Sequence, residues 1–115
     1  MNKLEGELQA SLLLEAPHHL QNLRLFRRNI ATIRIERRVM KFGVAGQCDL
    51  YGILRGGRHI EVELKAASGS LSSEQRQWRD FCAAWEIPWI TLKARPLETV
   101  EQTVSRWVTE LAAIA

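Results

Sequence analysis

The chain has 115 residues, a net charge of +3 and an apolar fraction of 46%. That length suits one domain over residues 1–115, able to bury about two-thirds of its unfolded surface. No segment nears the roughly 20 apolar residues that cross a bilayer, and no basic-then-apolar leader opens the chain. Cys48 and Cys82 make neither a disulfide framework nor a metal-binding pair, so a cytoplasmic setting is expected.

Met1 to about Ala16 reads as a helix, with Leu4, Leu8 and Leu12 along one face and Pro17 ending it. Glu5 falls within that apolar face. A carboxylate there needs a cation beside it, unless it sits near the helix N-terminus only because the macrodipole favours it. His18 and His19 follow in a loop as surface residues, since adjacent histidines share no face with which to grip a metal.

Leu23 to Asn29 and Ile30 to Val39 look like two strands, the second with alternating Ile33 and Ile35. Between Arg24 and Lys41 stand seven basic residues against Glu36 alone, so this stretch carries +6 and the rest of the chain −3. Such asymmetry points to a polyanion, with Arg27, Arg28, Arg37, Arg38 and Lys41 as candidate nucleic-acid contacts. The plainer alternative is a solvated strand pair whose arginines protect edges. Gly43 to Gly46 either brings backbone close to a phosphate or serves turn geometry alone.

Two alternating runs then flank Gly56-Gly57, the mark of a β-hairpin. On the second run Ile60, Val62 and Leu64 point one way and Glu61, Glu63 and Lys65 the other. A two-residue loop pairs Arg55 with Arg58 and faces Asp49 with Leu64. A three-residue loop, Gly56-Gly57-Arg58, pairs Leu54 with Ile60, Gly52 with Val62 and Leu50 with Leu64. The second register joins the apolar faces and puts Asp49 on the face of Glu63 and Lys65, and it is preferred.

A loop from Ala66 leads to a helix starting at Leu71-Ser72-Ser73-Glu74-Gln75, where Ser72 and Gln75 form a capping box. Trp78, Phe81, Cys82 and Trp85 continue down one face and read as core rather than as a base-stacking platform. Pro88 to Leu92 is the next strand, and the strand-helix-strand order predicts a parallel crossover. The closing helix starts near Leu97, with Leu97, Val100, Val104, Trp107 and Leu111 as core.

Asp49, Glu63 and Lys65 form the constellation with chemistry in it. Two converging carboxylates repel unless one is protonated or a cation lies between them. Mg2+ or Mn2+, a hard cation with oxygen ligands, suits Asp49, Glu63 and the carbonyl of Leu64. Lys65 stands on the same face of the strand as a positive charge beside the two acids. Glu61 is read as supporting the ligand set or facing solvent, not as a ligand.

These residues resemble the VRR-NUC family of the PD-(D/E)xK nuclease superfamily, of the stand-alone phage or bacterial type. The likeness runs through Phe26-Arg27-Arg28-Asn29, then KFGVAGQCDL, then VELKAASGSLSSEQ, where the spacing from ELK to the glutamine and the GxLS between them are the most specific parts. The chain departs from the family where Cys48 and Ser73 replace frequent prolines, where Lys41 replaces a frequent arginine, and in the extra acid Glu61.

The resemblance implies a restriction-endonuclease-like α/β fold, a mixed central sheet flanked by helices in the order α-β-β-β-α-β-α. It implies catalytic roles for Asp49, Glu63 and Lys65. It adds Glu5, from the match at Glu5-x-x-Leu8-Gln9, and Gln75, beside the capping reading. Lys41 matches the family's basic residue upstream of the metal-binding aspartate. The expected function is Mg2+- or Mn2+-dependent endonucleolytic hydrolysis of branched DNA such as four-way junctions, by a homodimer involved in DNA repair or recombination. The alternatives are a catalytically silent nucleic-acid-binding subunit of the same fold, and a structural protein whose charged face makes a dimer interface.

Overall fold

The computed structural model describes residues 3–28 and 31–115, and of these all side chains except those of 31–33 and 40–42. The order is α1 (Lys3–His19), β1 (Leu23–Arg27), β2 (Ala31–Ile35), β3 (Arg38–Phe42), β4 (Leu50–Leu54), β5 (His59–Lys65), α2 (Ser73–Ala84), β6 (Trp89–Lys93) and α3 (Val100–Ile114). It is a mixed α/β fold. A four-stranded sheet in the order β1-β4-β5-β6 is flanked by helices, and β2 with β3 forms a separate antiparallel hairpin. β1, β4 and β5 are antiparallel neighbours, and β5 and β6 pair in parallel as the crossover predicts.

Five strands, not three, therefore precede α2. The predicted strand over Ile30 to Val39 bends back at Glu36-Arg37, where Glu36 takes φ 54°. Ile35 and Val39 remain exposed on this hairpin. Asn29, Ile30 and the side chains of Ile33 and Lys41 lie outside the described residues.

One face of the sheet carries the core. Leu23, Leu50, Leu54, Ile60, Val62, Leu64 and Leu92 meet Leu8, Leu12 and Ala16 of α1 and Val104, Trp107, Val108 and Leu111 of α3. The two helices also pack against each other. On α1 the buried stripe is Glu5, Leu8, Gln9, Leu12 and Ala16, and Leu4 is exposed. The buried stripe follows Leu8, Leu12 and Ala16, and the four-residue spacing drifts about 40° per step, so Leu4 lies at its far side, in the first turn.

Pro17 does not end α1. It lies in the last turn, where its missing N–H forfeits one bond, and the helix runs on through His18 and His19 until Leu20 N donates to Ala16 O at 2.9 Å. α3 begins at Val100 behind an N-cap and capping box made by Thr99 and Gln102. Leu97 precedes that cap with φ 70° and is fully exposed, which removes it from the predicted core stripe.

The β4–β5 register is displaced by two residues from the expected one. Leu50 pairs with Val62 and Gly52 with Ile60, and Leu54 N donates to Arg58 O at 2.7 Å. The three-residue loop is therefore Arg55-Gly56-Gly57. Both glycines adopt positive φ, 100° and 93°. In the expected loop Arg58 would have occupied the last, left-handed position at a steric cost that Gly57 does not incur. A shift of two keeps every side chain on its predicted face but moves each carboxylate along the strand.

Candidate active site

The second face of the sheet is polar where the first is apolar. β5 is buried on both sides, because α2 lies across the face that carries Glu61 and Glu63. The observed register, continued by one pair, sets Asp49 level with Glu63 rather than with Lys65. On the neighbouring parallel strand Thr91 and Lys93 stand level with Glu63 and Lys65.

Glu63 is the centre of this arrangement. It is 1% exposed. Its Oε1 accepts from Gln75 Nε2 at 2.9 Å and lies 3.9 Å from the ammonium of Lys65. Its Oε2 is buried with no hydrogen-bond partner of normal geometry among the described side chains. Burial pushes the Glu63 carboxyl up to about 7, and the charge of Asp49 adds to that, against the Cys48 thiol and Lys65. Asp49 is likewise raised, first by burial and then by Glu5, against Lys65 and Arg27. Each acid thus resists ionisation in the protein interior, as two converging carboxylates do without a cation between them.

Glu5 comes to the same place from α1. It is buried, and its Oε1 accepts from the backbone of Ala66 at 3.3 Å, at the end of β5. A Cβ on Gly69 would meet both that oxygen and the Lys65 side chain at 3.3 Å, which locates Glu5 beside Lys65. Five residues singled out by the sequence (Glu5, Asp49, Glu63, Lys65 and Gln75) therefore gather at one end of β5. Leu64 is buried on the opposite face, so only its backbone carbonyl is available as a ligand.

Two loops hold the acids in place. The capping box forms as expected, with Gln75 N donating to Ser72 Oγ at 3.1 Å and Ser72 N to Gln75 Oε1 at 2.8 Å. That leaves the Gln75 amide nitrogen free to reach Glu63, so one residue both caps α2 and contacts the acid. Gly46, with φ 84°, packs against the first turn of α2. A Cβ there would sit 2.1 Å from the Glu74 carbonyl oxygen. Its glycine requirement is explained by helix contact, not by a phosphate.

Of the two readings of Glu61, the solvent-facing one fails: the side chain is 0% exposed and fully engaged. Arg28 donates to both of its oxygens, at 2.7 and 2.8 Å, Trp78 Nε1 donates to Oε1 at 2.8 Å, and His59 Nε2 contacts Oε2. Burial alone would raise the Glu61 carboxyl, but the hydrogen bonds from Arg28, His59 and Trp78 outweigh it and hold it below the usual range. Arg28 consequently points inward. Arg27, Arg37 and Arg38 are exposed.

No family model, curated protein or solved structure matches this chain. The site is therefore read from its own chemistry. Among the described residues no three acidic, histidine or cysteine side chains form a group able to hold a metal ion. A cation here would rest on two carboxylates, Asp49 and Glu63, with backbone and water oxygens completing its shell, a donor set that suits Mg2+ or Mn2+. The unpartnered Oε2 of Glu63 and the raised acid pair fit that group.

The aromatic stripe of α2 corrects an expectation. Cys82 alone is buried from that helix; Phe81 is largely exposed and Trp85 is 71% exposed. Trp78 stacks on Phe81 along the helix instead, with ring centroids 5.1 Å apart, and Phe81 makes a tilted contact with Trp85 at 5.8 Å. The sheet beneath α2 offers carboxylates rather than an apolar surface, so the helix turns Gln75 and the Trp78 N–H inward. Sequence reasoning also missed the Arg28–Glu61 pair and the position of Thr91 and Lys93, because both depend on which strands become neighbours.

Proposed function

We propose that this protein is a Mg2+- or Mn2+-dependent phosphodiesterase acting on DNA, with a restriction-endonuclease-like core. The observation that carries the reading is Glu63, a buried acid set beside Asp49, Lys65 and Gln75, with one oxygen that has no partner of normal geometry and only the weakly donating Cys48 thiol near the carboxylate. A salt-bridged structural carboxylate would have both oxygens satisfied. A pure binding surface has no use for an acid pair buried in its face.

Asp49, Glu63 and the Leu64 carbonyl would hold the ion, which supplies Lewis acidity toward a phosphate oxygen and lowers the pKa of a water. The remaining work falls to the chain. Lys65 provides a fixed positive charge 3.9 Å from Glu63, where charge builds on the phosphoryl oxygens. Gln75 holds Glu63 in one rotamer through its amide. Glu5 orients the end of β5 through the Ala66 N–H. Exposed Arg27, Arg37 and Arg38 attract the backbone of the substrate.

Branched DNA such as a four-way junction, cut by a homodimer, is the substrate this reading favours, since two-fold symmetry would match paired incisions. The test is cleavage of labelled single strand, duplex, 5′ flap and four-way junction with Mg2+, Mn2+ or chelator. Metal-dependent cuts that vanish in Glu63→Ala are expected. Tight, metal-independent binding with no cleavage of any substrate would overturn the enzyme and leave a binding subunit.

A further inference from the structure

Phe26, Tyr51 and His59 form a row of rings across three adjacent strands. Phe26 and Tyr51 lie opposite each other with centroids 5.3 Å apart and planes 20° apart. Tyr51 and His59 continue the stack at 5.4 Å and 12°. The Arg28 guanidinium lies 5.1 Å from the Tyr51 centroid and is locked there by Glu61. The row stands on the polar face of the sheet, where α2 covers β5 but Phe26 is still 43% exposed.

Its placement relative to the acids is set by the pleat. Tyr51 is two residues beyond Asp49 on the same face, about 7 Å along the strand. Phe26 lies one strand further across, about 5 Å, so the open ring is within one to two nucleotides of the acids along an extended strand. Phe26 is on β1, the edge of the sheet, and among the described residues no further strand extends the stack beyond it. Exposed Arg24 shares the face of Phe26 two residues away on β1, and exposed Arg27 is its chain neighbour on the other face. The charge around the open ring suits a polyanion.

We propose that Phe26 at the end of this row stacks on an unpaired base next to the scissile phosphate, so that the substrate is DNA with single-stranded character at the cut. The inference rests on the nuclease reading and narrows its substrate: a fully paired four-way junction offers such a base only where stacking breaks at its branch point, whereas a flap offers one outright. A ring face attracts any base, but in an intact duplex both faces of each base are occupied by its neighbours. Discrimination then follows without base-edge contacts. The locked Arg28–Tyr51 pair holds the row rigid before DNA arrives, which lowers the ordering cost of binding.

The experiment is fluorescence anisotropy in chelator, so that no cleavage intervenes, with a labelled single strand, a 5′ flap and a covalently closed circular duplex. Phe26→Ala should weaken binding of the single strand and flap about 5- to 150-fold and leave the closed duplex unchanged. Phe26→Trp should retain the affinity, and Phe26→Leu, which keeps the apolar volume, should not restore it. Equal weakening on all three DNAs, no weakening on any, or full rescue by leucine overturns the proposal. A change in sedimentation of Phe26→Ala with unaltered DNA binding also overturns it and assigns the row to a second copy of the chain. Because the readout needs no metal, a failure of stacking is separable from a failure of the nuclease: wild type that binds but never cuts sinks the latter alone.

Discussion

Arg28 and Glu61 meet as a fork: the two terminal nitrogens of the guanidinium donate to the two oxygens of the carboxylate, at 2.7 and 2.8 Å. The same Arg28 Nη1 donates to the Cys48 carbonyl at 2.8 Å, and the Arg28 backbone N–H donates to the Asp49 carbonyl at 2.8 Å. One arginine therefore pins the chain on both sides of the Cys48–Asp49 step. Glu61 anchors that arginine and also the indole of Trp78 on α2. It links the strand that presents Asp49 to the helix that presents Gln75.

Removing Glu61 leaves Arg28 largely buried without its counter-charge. Glu61→Ala should cost about 3–5 kcal/mol, the usual penalty for breaking a buried pair from one side. Urea unfolding in chelator measures it, and a loss below about 1 kcal/mol would contradict the anchoring role. The pair also has a pH signature. The folded Glu61 carboxyl is depressed, so its contribution is present above the unfolded value of about 4.3 and is lost as pH falls through the folded value.

Glu63 has the opposite sign. Its folded carboxyl sits at about 7, above the unfolded value, so at intermediate pH the folded chain keeps a proton that the unfolded chain has released. The stability it contributes is complete below the unfolded value and disappears as pH rises through the folded one. In chelator the urea midpoint should therefore be lower near pH 8 than near pH 5, and Glu63→Gln should flatten that slope. At the higher pH, Mn2+ at about a hundred times its dissociation constant should restore about 2.7 kcal/mol to wild type and nothing to Glu63→Gln. A metal-independent midpoint in wild type would count against the candidate cation site.

Gln75 has two separable functions, a cap and a contact with Glu63. Gln75→Glu retains a residue able to complete the capping box but loses the amide donor facing Glu63. Hydrogen exchange at the start of α2 should stay protected in Gln75→Glu and weaken in Gln75→Ala, which keeps the Ser72 cap but loses the reciprocal bond of the box, about 1 kcal/mol. Cleavage should fall about tenfold or more in both variants, from the lost bond to a charged group. Wild-type cleavage by Gln75→Glu would reduce Gln75 to a cap.

Exposed Trp85 and buried Trp107, on helices that cover opposite faces of the sheet, should behave differently. Trp85→Gln should change stability by less than about 0.5 kcal/mol, as surface substitutions do. Trp107, fully buried between α3 and the sheet with its Nε1 donating to the Lys93 carbonyl at 3.3 Å, should cost about 3–5 kcal/mol as Trp107→Ala. Thermal or urea unfolding of the two variants side by side decides this, and comparable losses would place the α2 stripe back in the core.

The features legible in the residues alone were those set by local rules. Alternation along β4 and β5 depends only on the pleat, so Asp49 and Glu63 were bound to share a face in any register of even shift. The capping box at Ser72 and Gln75 closes within four residues, and the parallel pairing of β5 with β6 follows from a helix between them. Tertiary structure decided the rest. The left-handed requirement of Gly57 chose the loop, and with it the level at which Asp49 meets Glu63. The burial of an amphipathic helix depends on what lies opposite. α3 met an apolar face and buried Trp107, whereas α2 met Glu61 and Glu63 and left Trp85 outside. Glu61 itself reads in sequence as an extra acid, because only His59 is its neighbour on the same strand, whereas the arginine and the indole that complete its shell arrive from positions 28 and 78 when the end of β1, β5 and α2 come together.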